Sequence, residues 1–202
     1  PVMGDEGLEV RAASEGQLPK LIVFDLDACL WTPEMFELKG EPLSWDEQLG
    51  GVRTSHRSRG TDEIVRLFDG ALAVMRRFVN DESLKDLSVA VASKTTEEKY
   101  AHHCLDQIVV DPAQGTKLGQ LVHHREIYYG SKGSKHFPAL KKATGFDYGE
   151  MLFFDDCTYS DNCGEVASSC PGIVCVRTPH GLTEALFDLG LAAFAAGRHG
   201  VV

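Results

Sequence analysis

A chain of 202 residues that is 43% hydrophobic and 25% charged has the makeup of one globular domain of ordinary size, which excludes collagen-like, low-complexity and largely disordered classes. Twenty Lys and Arg against 30 Asp and Glu leave a formal charge of −10, so neither nucleic acid nor an anionic membrane is expected as a partner, because both need clustered cations. No apolar run has the roughly 18 residues of a membrane span, and Pro1 to Lys20 lacks the basic and apolar segments of a signal peptide. A cytoplasmic protein is expected, with its six cysteines reduced, since none forms a C-x-x-C pair.

Residues 1–19, rich in Gly, Glu and Ser, read as a mobile leader, and one domain spans 20–202. Leu21 to Phe24 is a continuous apolar run of the kind shown by strands buried on both faces. From about residue 31 to 66, Pro33, Pro42, Gly50-Gly51 and the polar run Arg53 to Thr61 interrupt any sustained period. That segment is predicted to be an inserted flap or hairpin with loops, too short for an independent cap domain. Leu72, Met75, Phe78 and Val79 share one helix face, a strand is expected at Val89 to Ala92, and Thr95-Thr96-Glu97-Glu98 has the form of a capping box opening a second helix.

Ile108 to Val110, Ile127 to Tyr129, Met151 to Phe154 and Val174 to Val176 are further expected strands. Helices are expected over Ser134 to Thr144, ended by Gly145, over Ser160 to Ser169 and over Leu182 to Phe194. Strands alternating with helices imply right-handed parallel crossovers. The predicted fold class is α/β: a doubly wound, mainly parallel sheet in a three-layer sandwich, with a short flap and no large cap.

Ligands of such sheets sit at the carboxyl ends of the strands, and there the residues form a pattern. The first run is followed by Asp25-Leu26-Asp27, the second by Ser93, the Ile127 run by Gly130-Ser131-Lys132, and the Met151 run by Asp155-Asp156. A D-x-D pair alone is weak, since chance supplies one in a chain with 15 Asp. Directly after a buried strand, two carboxylates sent to opposite sides by the alternation are costly to desolvate unless a cation or a reaction uses them. The set suits phosphoryl transfer: acidic oxygens for a hard divalent cation, Asp25 to attack phosphorus, Asp27 to move protons, and Ser93 with a lysine to bind phosphoryl oxygens.

These segments resemble the haloacid dehalogenase (HAD) superfamily of aspartate-nucleophile phosphatases, and within it the magnesium-dependent phosphatase family. The resemblance runs from about Leu21 to about Phe194 and rests on Phe24-Asp25-Leu26-Asp27-Ala28-Cys29-Leu30-Trp31, Ala92-Ser93-Lys94-Thr95, Arg125 to Lys132 and Phe153-Phe154-Asp155-Asp156. It implies a HAD-like fold, Asp25 as nucleophile and Asp27 as acid and base. It also implies phosphoryl binding by Ser93, Lys94 and Lys132, and Mg²⁺ held by Asp25, the Asp27 carbonyl, Asp155 and Asp156. Phosphotyrosine, sugar phosphates and phosphorylated glycation products are the substrates it brings forward. Two departures stand out: Cys29 where Thr or Val is usual, and one extra residue between the lysine and His136-Phe137, for which Lys132 is favoured over Lys135.

The alternative is a receiver-like phosphoacceptor module without turnover, although here an acidic pair follows the lysine instead of preceding it. The histidine pairs His102-His103 and His123-His124 are expected at the surface, because adjacent helical residues point about 100° apart. Trp31, Phe36 and Trp45 either pack the flap onto the domain or form a partial aromatic rim to the site.

Overall fold

In the computed structural model, which describes residues 17–202, the chain enters the fold earlier than the sequence implies: Leu18 packs against the core and Pro19 is buried. Residues 1–16 of the expected leader lie outside the described residues. Strand β1 (Leu21–Phe24) is followed by β2 (Trp31–Thr32), β3 (Pro42–Asp46), β4 (Gly51–Ser58), β5 (Thr61–Leu67) and helix α1 (Asp69–Asn80). Next come β6 (Ser88–Ser93), α2 (Glu98–Gln107), the short pair β7 (Val109–Asp111) and β8 (Thr116–Lys117), α3 (Leu118–Leu121) and β9 (His124–Ile127). A π-helical turn (Lys132–His136) runs into α4 (Phe137–Thr144), and β10 (Met151–Asp155), α5 (Asn162–Ser169), β11 (Val174–Arg177), α6 (Glu184–Ala195) and β12 (Gly200–Val201) complete the chain.

The central sheet has the order β12-β11-β10-β1-β6-β9, with every pairing parallel. Alternation along β1 splits the core in two: Ile22 and Phe24 face one layer, Leu21 and Val23 the other. Side chains of α1, α2 and α6 fill the first layer, and those of α4 and α5 the second. Phe24 stacks on Phe154 at 5.3 Å between centroids, with Phe187 of α6 5.7 Å from Phe154. Each such fully buried aromatic contributes about 1.5–3 kcal/mol of transfer free energy, which fixes the register of β1 against β10. Among the described residues no helix is long and apolar enough to cross a membrane.

Several expectations need correction. Ile108 and Val110 are buried, but the segment does not join the central sheet; β7 pairs antiparallel with β8 in a separate hairpin. The Ile127 to Tyr129 strand ends at Ile127, and Tyr129 is 74% exposed. The capping box at Thr95 does not form: α2 starts at Glu98, and Thr95 Oγ1 accepts from the Glu97 amide in the preceding turn (3.3 Å). The flap is more regular than the sequence implies, a four-stranded antiparallel sheet in the order β2-β5-β4-β3. Its β4–β5 hairpin closes through Arg59-Gly60, both at positive φ (51° and 84°), as a two-residue turn requires. Val52 and Val65 carry the flap onto the core.

Candidate active site

Chain order places the site. From β1 the sheet grows through β6 and β9 on one side, and then returns to β10 on the other, so the loops leaving β1 and β10 diverge and open a crevice at the carboxyl edge. Phe24 pairs with Phe154, and the Asp25 amide donates to the Phe154 carbonyl (2.9 Å). Asp25 and Asp155 therefore enter the crevice side by side, both buried. Asp156 follows, its Oδ2 accepting the Thr158 N–H at 2.7 Å.

Asp25 and Asp27 do not diverge as the alternation was expected to make them. Both line one cavity of about 320 Å³, because residues two apart share a side of an extended chain. Beyond Asp27 the backbone reverses, with Ala28 at φ 56° and the Leu30 amide bonded to the Leu26 carbonyl (2.8 Å). This tight turn brings the Trp31 indole back onto Asp27, Nε1 donating to Oδ1 at 2.6 Å. Trp31 is fully buried, so it does not belong to a substrate rim. Burial raises the Asp27 pKa, and the Trp31 bond, with donors from Met35 and Thr95, pulls it back in part. Cys29 is a buried packing residue whose Sγ accepts from Thr178 Oγ1 (3.3 Å).

Lys132 is 1% exposed and bridges two carboxylates, Asp25 Oδ1 at 2.7 Å and Asp155 Oδ2 at 2.5 Å. Burial alone would depress its pKa, but those two charges hold it above the ordinary lysine value. Lys135 is exposed and pairs with none of them. The segment Lys132–His136 forms a π turn, closed from the Phe137 N–H to the Lys132 carbonyl (i→i+5) and so one residue wider than an α-helical turn. Lys132 thereby still points into the crevice while His136 stays buried, its Nε2 donating to the carbonyls of Ser93 and Tyr128 (both 3.0 Å).

Ser93 is buried at the end of β6 and lines the same cavity, as does Lys94, whose Nζ lies 3.4 Å from both Ser160 Oγ and Asn162 Oδ1. Of the residues expected at the site, Asp25, Asp27, Ser93, Lys94, Lys132 and Asp156 line this cavity, and Asp155 lies fully buried behind them, against Lys132. Sequence reasoning missed Asn162, buried, whose Nδ2 donates to Asp155 Oδ1 (3.0 Å) and lies 3.2 Å from Oδ2. It also missed the mouth residues Glu34, Tyr129 and Tyr159. Of the expected aromatic rim only Phe36 lies at the mouth, 58% exposed and edge-on to Tyr159 at 6.2 Å. Trp45 is partly buried against the core. Tyr159 Oη donates to Glu34 Oε1 (3.0 Å), tying the flap to the loop after β10.

Among the described residues, Asp25, Asp155 and Asp156 are the one group whose side chains could share a metal ion, with donor atoms within 4.8 Å of one another; no histidine belongs to it. Burial raises the Asp25 pKa well above the usual carboxylate range; Lys132 lowers it and the neighbouring Asp155 and Asp156 raise it further. Three buried carboxylates with one lysine are an anionic, all-oxygen donor set that fits a hard divalent cation. Asp155 is the least free of the three, because both of its oxygens already accept hydrogen bonds.

Comparison with known proteins agrees with this geometry. The family model described as Acid Phosphatase matches residues 17–197. The human protein named magnesium-dependent phosphatase 1 is 34% identical over 186 residues, 91% of this chain and 92% of its own. A Schizosaccharomyces pombe protein named HAD-like hydrolase superfamily protein P8B7.31 is 29% identical over 142 residues, 69% of this chain and 77% of its own. Among solved structures, the phosphatase-containing N-terminal part of the Bacteroides fragilis protein BF1531, crystallised with Mg, superposes with a TM-score of 0.54 at 16% identity, over 91% of this chain and 40% of that one, and so shares the fold. With the model spanning nearly the whole described domain and the motifs lying together in one crevice, the chain belongs to the acid phosphatase family of HAD-type phosphatases.

Proposed function

We propose that this chain is a Mg²⁺-dependent phosphomonoester hydrolase that works through an aspartyl-phosphate intermediate. The observation that carries the reading is the convergence of Asp25, Asp27, Lys132 and Asp156 on one cavity at the switch point of the sheet. Asp25 and Asp156, each with one oxygen bonded within the protein, are the carboxylates best placed to hold the cation, with the Asp27 backbone carbonyl as a third donor and Asp155 behind them. When bound, Mg²⁺ neutralises phosphoryl charge that would otherwise repel the attacking carboxylate. Asp25 attacks phosphorus, while Lys132, Ser93 and Lys94 donate to the equatorial oxygens. Asp27 gives its proton to the departing oxygen and then takes one from the water that hydrolyses the aspartyl-phosphate. The receiver-like alternative is not favoured by the family to which the chain belongs.

The mouth narrows the substrate class. Phe36, Tyr129 and Tyr159 present exposed rings (58%, 74% and 73%) around an anionic floor, which complements an aryl leaving group better than a polyol. Aryl phosphates, phosphotyrosine among them, are therefore expected to be preferred over sugar phosphates. Turnover of p-nitrophenyl phosphate should disappear with EDTA and return with added Mg²⁺; activity indifferent to both would overturn the reading.

Trp31 enters this mechanism through Asp27. The Trp31→Phe variant keeps the ring packing but removes the donor to Oδ1, and should lower kcat about tenfold, the worth of one hydrogen bond to a charged group, with KM nearly unchanged. An unaltered kcat would mean that Asp27 is oriented by other donors alone.

A further inference from the structure

Helix α5 touches the Lys132–Asp155 pair from both ends. Asn162, in its first turn, holds the carboxylate of Asp155 through Nδ2 (3.0 Å). Glu165, three residues on and therefore on the same face, holds the segment that carries the ammonium: its Oε1 accepts the Gly133 N–H (3.0 Å) and the Ser131 hydroxyl. Ser131 in turn caps the π turn, its Oγ accepting the Ser134 N–H at 3.1 Å. The two segments are in close contact, for a Cβ added at Gly133 would come within 2.8 Å of Ser169 Oγ and 3.2 Å of the Glu165 carbonyl.

A π turn is an uncommon conformation, found mostly as single turns and frequently at functional sites. Lys132 is its first residue, so the direction of the ammonium depends on how the turn is held. Lys132 is also the cation with the most to lose from misplacement, because Asp25 and Asp155 flank it within 2.7 Å and any swing leaves two buried carboxylates without a counter-charge. Glu165 does not itself line the cavity, and its side chain bonds to Ser131 and Gly133 and not to Asp25 or Asp155. Its effect on chemistry must pass through Lys132.

We propose that Glu165 is a positioning residue for Lys132, and that the first turn of α5 fixes both members of the Lys132–Asp155 pair, with Asn162 gripping the carboxylate and Glu165 the turn beneath the ammonium. The proposal rests on the phosphatase reading above. It makes Asn162 and Glu165 one clamp: the helix that orients the acid also orients its lysine, so the phosphoryl-binding cation is set by a residue outside the cavity.

The test is a double-mutant cycle on kcat, measured with p-nitrophenyl phosphate well below the melting temperature of each variant, with the affinity for inorganic phosphate measured in parallel by calorimetry. Glu165→Ala should lower kcat by about 10- to 100-fold, as a small misplacement of a catalytic group does, and weaken phosphate binding. Glu165→Gln keeps an accepting oxygen of the same reach and should restore most of both. In a Lys132→Met background, Glu165→Ala should cost nothing further in kcat or phosphate affinity, since the group it positions is already gone. Glu165→Ala equal to the parent in both readouts overturns the proposal, and so does the same fold-loss with and without Lys132, which would make Glu165 a scaffold residue only. A parent enzyme with no turnover is the separate failure of the phosphatase reading, and in that case the phosphate-affinity cycle alone decides whether Glu165 acts through Lys132.

Discussion

Asp25→Asn is expected to abolish phosphatase turnover while leaving the fold intact. An amide has the shape of the carboxylate but not its nucleophilic oxygen, so phosphorus has nothing to bond to and no aspartyl-phosphate can form. The fold should tolerate the change, because the amide oxygen can still accept from Lys132, now 2.7 Å from Asp25 Oδ1. One of three mutually repelling buried carboxylates is also removed, which offsets the weaker pairing with Lys132. Rates with p-nitrophenyl phosphate at saturating Mg²⁺, together with a thermal melt, check both halves. Full activity in the variant would exclude covalent catalysis by Asp25, and a collapsed melt would show that its charge is structural.

The parts of this molecule that sequence reasoning reached are those whose neighbours do not matter to the pattern. A parallel strand covered on both faces must be apolar throughout, so β1, β6, β10 and β11 are visible as runs, and the polar residue that ends each run is delivered to the same edge. The same criterion misleads at Ile108 to Val110, because burial makes a segment apolar without saying which strand it pairs with. β12 is two residues long and starts with glycine, too little for any periodicity. The flap strands hide for another reason: β4 reads Gly-Val-Arg-Thr-Ser-His-Arg-Ser, with one large apolar side chain facing the core, and its turn is Arg-Gly instead of the usual Asn-Gly.

The site divides in the same way. Asp25, Asp27, Ser93, Lys132 and the Asp155-Asp156 pair were legible because strand ends converge whatever else the fold does. That Lys132 and not Lys135 faces the carboxylates is a matter of register, set by the π turn, which no local propensity announces. The residues that orient these groups were not legible. Trp31 is only four residues from Asp27, yet its indole reaches back only because Ala28 adopts a left-handed conformation. Glu165 and Tyr159 act on partners 34 and 125 residues away, contacts that exist only after packing. The aromatic residues of the flap divide for the same cause: Trp31 and Trp45 pack onto the core, and Phe36 stays at the mouth, where rings from two loops, Tyr129 and Tyr159, join it.

Asp27→Asn separates the second carboxylate from the first by the kind of rate it loses. The asparagine oxygen still accepts the Trp31 indole N–H, at 2.6 Å from Oδ1 in the parent, so the turn and the cavity should persist with inorganic phosphate and Mg²⁺ bound as before. What is lost is the proton. A group that gives a proton to the leaving oxygen and takes one from water is worth about two to four orders of magnitude in rate, and burial, by raising the Asp27 pKa, keeps its protonated form within easier reach for the first of these tasks. The two tasks respond differently to the leaving group. With p-nitrophenyl phosphate the departing phenolate needs little protonation, so phosphorylation of Asp25 should survive in the variant while hydrolysis of the aspartyl-phosphate, which needs a base, stalls. Rapid mixing should then show a burst of about one p-nitrophenolate per enzyme followed by slow turnover. An alkyl phosphate, whose leaving oxygen needs the acid, should show no burst and a deeper loss. A steady state within a few-fold of the parent for both esters would remove Asp27 from the proton path, and a loss for the alkyl phosphate alone, with p-nitrophenyl phosphate turned over as by the parent, would confine its role to the first step.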